Sequence, residues 1–159
     1  VKGKTLKCKV TVTKKQAAKK NAKTAGKKNT TSDISLQKKV ISIVNKNRKK
    51  KGLEALTMDE KLMKAAQDRA KELTKSFSHT RPNGTSCFTI FEKYKITPMA
   101  SGENIAAGQR SAADVMDSWM NSQGHKENIM NNRFKKIGVG LVIVPNDMYS
   151  YYWVQMFTE

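Results

Sequence analysis

The stretch Ile137 to Val144 is apolar on both of its alternating faces, and this restricts the fold more than any other part of the 159-residue chain. A half-exposed strand alternates apolar and polar residues, so a strand without that alternation has to be covered on both sides. Gly138 and Gly140 fall within it, as expected where another backbone approaches closely. Pro145-Asn-Asp147 then turns the chain, and Tyr149 to Phe157 returns as an aromatic-rich antiparallel partner.

The cover has to come from upstream. Leu36, Val40, Ile43, Val44 and Asn47 follow helical spacing, and Lys49-Lys-Lys51 before Gly52 supplies the cations and C′ glycine of a helix end, predicting a helix over about 34–50. Thr57-Met-Asp-Glu60 reads as a capping box for a second helix over about 58–75. Its face of Leu62, Ala65, Ala66, Arg69, Ala70 and Leu73 is narrow enough for close packing. Phe88, Phe91 and Tyr94 suggest a short third helix after the Pro82-Asn-Gly84 turn, and Ser111-Ala-Ala-Asp114 caps a fourth that carries Val115, Met116, Trp119 and Met120. Helices first and a doubly covered hairpin last give an α+β fold, a three-layer α-β-α sandwich with a small antiparallel sheet between helices.

Charge divides the chain. Residues 1–33 carry 11 of the 31 Lys and Arg residues and one acid, Asp33, while the formal net charge of the whole is +18. Such an excess suits nucleic acid, an anionic membrane or an anionic polymer such as cell-wall teichoic acid, and composition does not choose among them. The basic region contains no aromatic side chain on which bases could stack, which argues against sequence-specific nucleic-acid binding. Lys7 to Thr13 alternates as a strand would, with no neighbour to pair with, and residues 14–33 read as a solvated basic linker. No apolar run approaches the roughly 20 residues that span a bilayer, and the start lacks a signal-peptide pattern. Because the first residue is Val rather than Met, removal of an upstream part is the expectation.

Chemistry concentrates around two histidines, the only ones present: His79 in Phe77-Ser-His-Thr-Arg-Pro-Asn-Gly84 and His125 in Ser122-Gln-Gly-His-Lys-Glu-Asn-Ile129, each read at the end of a helix. So few imidazoles, each beside residues that fix direction, suit a site better than a solvated surface. Glu103 lies between them in sequence, read in a tight turn flanked by Gly102 and Asn104. Two imidazoles with a carboxylate as ligand or orienting group can hold Zn²⁺ with a position left for water. Cys8 and Cys87 do not make a disulfide framework. Cys87, eight residues after His79, reads as a small buried residue rather than as a nucleophile paired with that histidine. Trp119, Trp153 and Tyr151 could line a groove, but their helical and strand spacing favours core positions.

Five motifs in order, Ser78-His-Thr80, Gly102-Glu-Asn-Ile-Ala-Ala-Gly108, Ser118-Trp-Met-Asn-Ser-Gln-Gly-His-Lys-Glu-Asn-Ile129, Ile137-Gly-Val-Gly140 and Tyr152-Trp-Val-Gln-Met-Phe157, resemble the CAP superfamily of SCP-like proteins, in its short bacterial branch, over about residues 34–159. Gly3 to Val12 resembles the closing strand of bacterial immunoglobulin-like surface modules, which would make 1–13 the end of an upstream module. The CAP resemblance implies an α-β-α sandwich in a secreted, extracellular or wall-associated protein. It also implies a cleft that holds two His and two Glu, where several members bind a divalent metal, often zinc. By motif, the cleft positions are His79, Glu103, His125 and Ser122, with His79, His125 and Glu103 as metal ligands. Ser122 stands where many members have the glutamate of Trp-x-x-Glu, so a two-carboxylate mechanism loses one carboxylate.

The expected function is that of a monomeric binding or interaction module with a cleft for a divalent metal, Zn²⁺ foremost. Its partner would be an anionic cell-envelope polymer, a protein or a lipid. The alternatives are a metal-dependent hydrolase of peptide or ester bonds with Glu103 as base, and a lipid or sterol carrier. Neither a His-Glu-x-x-His helix nor a Gly-x-Ser-x-Gly elbow is present to favour the hydrolase.

Overall fold

The computed structural model describes residues 10–12 and 31–159. Cys8 and most of the expected end strand and linker lie outside the described residues. Helices α1 (Thr31–Lys50), α2 (Glu60–Leu73), α3 (Ile90–Lys93), α4 (Ala112–Met120) and α5 (Gln123–Ile129) pack on strands β1 (Val10–Val12), β2 (Thr57–Met58), β3 (Ser101–Ala107), β4 (Lys136–Ile143) and β5 (Tyr151–Thr158). The sheet runs β1-β3-β5-β4-β2. β5 pairs antiparallel with both β3 and β4, while β1 and β2 add parallel edges.

Each face of the sheet carries its own core. Ala106, Val139, Leu141, Trp153 and Phe157 meet α1 and α4 through Val40, Val44, Val115 and Trp119 on one face. Ile105, Val154 and Met156 meet α2 and α3 through Leu62, Ala66, Ala70 and Ile90 on the other. This is the expected three-layer sandwich, and β4 shows why it closes. Its residues 137, 139 and 141 supply side chains to the α1 and α4 face, whereas glycines 138 and 140 leave the α2 face bare. A Cβ on Gly138 would lie 2.2 Å from the carbonyl carbon of Leu62, and one on Gly140 would lie 2.1 Å from the carbonyl oxygen of Ala66. The buried set of α2 is the stripe read from sequence, Arg69 included.

Several boundaries differ from expectation. The sheet is larger than a hairpin, because Ser101–Ala107, read as a turn around Glu103, is a central strand hydrogen-bonded to β5. Small residues in this run hide its strand character, and burial against both layers overrides propensity. Val10–Val12, expected to have no partner, lies parallel to β3. α1 starts at Thr31, inside the expected linker. Thr57 belongs to β2, and Asp59 caps α2 by accepting from the amide of Leu62. His125 lies within α5 rather than where a helix ends.

Trp119 and Trp153 are fully buried, donating through Nε1 to the carbonyls of Ile105 and Gln109, so they are core residues. Arg48 is also buried. Its guanidinium donates to the carbonyls of Glu54, Ile129 and Asn131 at 2.8 Å, tying the end of α1 to the segment after α5.

Candidate functional site

Glu103 points from β3 toward α2, the direction set by strand alternation: Ile105 and Ala107 share its face, and Ala106 takes the other. Its carboxylate is fully buried. Arg69, also fully buried, donates from Nε to Oε2 at 2.9 Å. His79 Nδ1 sits 2.7 Å from Oε1, with the imidazole about one-fifth exposed. The histidine is therefore the rim of the site and the carboxylate its floor. An Nδ1–H donated to Glu103 puts the imidazole lone pair on Nε2, the arrangement in which a carboxylate orients a metal-binding histidine.

Arg69 organises the surroundings. Nη1 donates to Glu72 Oε2 at 2.6 Å and Nη2 to the carbonyl of Ser78 at 2.9 Å, which fixes the chain one residue before His79. Arg81 approaches Glu72 from the other side at 2.7 Å and also bonds Thr89. Burial acts to lower the pKa of Arg69, but Glu103 and Glu72 overcome it and hold it above its ordinary value. For Glu72, burial pushes upward, and Arg81 and Arg69 prevail to hold the carboxyl below its usual 4.5. A folded-state pKa below the unfolded one means the stabilisation is complete above about pH 4.5 and disappears as pH falls through the folded value. Glu72→Gln is accordingly expected to cost about 2 kcal/mol at neutral pH and to flatten the acid limb of a stability-versus-pH curve measured by urea unfolding.

The loop after His79 folds back on itself. Thr80 and Ser86 form an antiparallel bridge, Gly84 turns with φ of +82°, and the amide of Cys87 donates to the carbonyl of His79 at 2.9 Å. This places the buried Cys87 beside the site. The donor atoms of His79, Cys87 and Glu103 lie within 4.8 Å of one another, the one such three-donor group among the described residues. Imidazole, thiol and carboxylate are a donor set that Zn²⁺ accepts.

His125 stands outside that group. It is fully buried in α5, with Nδ1 2.8 Å from Oγ of Ser122. Two asparagines join its helix to the strand that carries Glu103. Asn104 Nδ2 donates to the carbonyl of His125, and Asn128 Nδ2 donates to the carbonyl of Glu103 and to Oδ1 of Asn104. Asn104 and Asn128 thus satisfy backbone groups. Sequence reasoning did not assign Arg69 or Cys87 to the site. An arginine in an otherwise apolar helix stripe is the signal for the first; the second depends on a loop closure that spacing does not reveal.

A three-layer sandwich with this site defines a class. An extracellular protein of Bacillus anthracis that contains an SCP domain superposes with a TM-score of 0.72 at 23% identity, over 84% of this chain and 45% of that one. An outer surface protein of Borrelia burgdorferi superposes with a TM-score of 0.73 at 27% identity, over 86% of this chain and 98% of that one. The chain belongs to the CAP family, the cysteine-rich secretory protein family, which matches residues 41–157. It is similar to YkwD of Bacillus subtilis, 39% identical over 126 residues, 75% of this chain and 49% of that protein. Similarity to the membrane protein YlbC of the same organism is 27% over 107 residues, 66% of this chain and 31% of that protein. The chain thus spans half or less of the curated relatives it matches. Among the described residues no helix is long and apolar enough to cross a membrane.

Proposed function

We propose that this CAP domain is an extracellular binding module whose cleft holds a divalent metal, Zn²⁺ by preference, on His79, with Glu103 orienting that imidazole and His125 as the second imidazole of the cleft. The observation that carries the reading is the buried Glu103 carboxylate, held by Arg69 and in turn holding His79 at the rim. Both carboxylate oxygens already accept hydrogen bonds, so Glu103 suits an orienting role better than that of a base acting on water. This favours a binding module over a hydrolase. Calorimetric titration with Zn²⁺ is expected to give one site per chain. His79→Ala should abolish it, and Glu103→Gln and His125→Ala should each weaken it by about tenfold or more. An unchanged isotherm in His79→Ala would overturn the metal reading.

The proposed location is the cell exterior, supported by the likeness to an outer surface protein of Borrelia burgdorferi, and the proposed partner is an anionic envelope polymer. Lys38, Lys39, Lys46, Lys49 and Lys50 are all exposed on α1, within an arc of about 120° at 100° per residue. Among the described side chains of that arc, Ser35 and Ser42 are the others exposed, and none is an acid. Binding to a poly(glycerol phosphate) is expected to weaken steeply with added salt and to fall when the five lysines become Gln. Salt-independent binding would contradict an electrostatic partner.

A further inference from the structure

We infer that Cys87 is a metal ligand of the cleft beside His79, so that the centre pairs a thiolate with the imidazole. The inference rests on the metal reading above and names the donor that gives the site its selectivity. Ser122, at the position of the Trp-x-x-Glu carboxylate, is engaged with His125 through its hydroxyl and brings no anion. The folded-back loop brings a different anionic donor to His79. The bridge between Thr80 and Ser86 and the bond from the Cys87 amide to the His79 carbonyl set the two residues side by side. Arg81 locks the loop through Glu72 and Thr89.

The geometry is close to what ligation requires. Zn–S near 2.3 Å and Zn–N near 2.0–2.1 Å place sulfur and nitrogen about 3.5 Å apart in a tetrahedral site. Here the three donor atoms lie within 4.8 Å of one another. On binding, the S–H bond breaks, an S–metal bond forms from the same electron pair, and one proton leaves to solvent. Cys87 is 3% exposed, which shields the thiolate–metal bond from competing water. Thiolate is a soft donor, so the site should take Zn²⁺, Co²⁺ or Cd²⁺ and refuse Mg²⁺ and Ca²⁺.

The test is an anaerobic Co²⁺ titration of the full chain in a Cys8→Ser background, where Cys87 is the sole thiol. The expected result is a strong near-ultraviolet thiolate-to-cobalt charge-transfer band that saturates with the metal. In Cys8→Ser/Cys87→Ser the band should vanish and affinity should fall by about tenfold or more. Because the band is read with the thiol intact, it does not depend on how the variant folds. Co²⁺ bound with no charge-transfer band would overturn the role of Cys87 and leave the His79 and Glu103 reading standing. No uptake of either Co²⁺ or Zn²⁺ would overturn both.

Discussion

Replacing Arg69 with Met is expected to destabilise the protein by about 3–5 kcal/mol, because the exchange fills the space but leaves a buried carboxylate without its counter-charge. Arg69 and Glu103 are both fully buried, and the guanidinium also serves Glu72 and the carbonyl of Ser78. For a chain of this length the loss corresponds to a fall in Tm on the order of 10 °C. Arg69→Met with Glu103→Gln should recover part of the loss, since the second change removes the stranded charge, and a double-mutant cycle in urea would measure the coupling. A loss under about 1 kcal/mol in Arg69→Met would show that the pair does not hold the site together.

Gly140→Ala is expected to be at least as damaging as the overpacking range of about 1–3 kcal/mol, and to disturb the site from a distance. The added methyl would meet backbone atoms of α2 at 2.1–2.7 Å, and backbone cannot rotate out of the way as a flexible side chain can. The helix would have to retreat from β4. It carries Gln67, which bonds both the amide and the carbonyl of Leu141, and two residues later Arg69. Thermal unfolding together with zinc affinity would read both consequences. A variant that keeps wild-type Tm and zinc binding would contradict the close packing of α2 on β4.

The layered architecture was legible because two-sided apolarity in β4 and the small-residue stripe of α2 are complementary statements about one interface. Helix ends with strong caps were legible too: Ser111 accepts from the amide of Asp114 as its spacing suggested. β3 was not, because Ser-Gly-Glu-Asn resembles a turn locally, and only burial between two layers makes it a strand. His79 and Glu103 were recognisable as motif positions, but their 2.7 Å contact depends on Arg69 reaching across from α2. Cys87 escaped for a related reason. Its eight-residue separation from His79 says nothing of proximity until Gly84 and the Thr80–Ser86 bridge fold the loop back.

Metal binding at His79 is read most directly from crystals grown with Zn²⁺ and measured at the zinc absorption edge. One strong anomalous peak is expected about 2.0–2.1 Å from Nε2 of His79, the ring nitrogen left available when Nδ1 faces Glu103. A well-ordered structure at saturating zinc with no anomalous peak at His79 would contradict it.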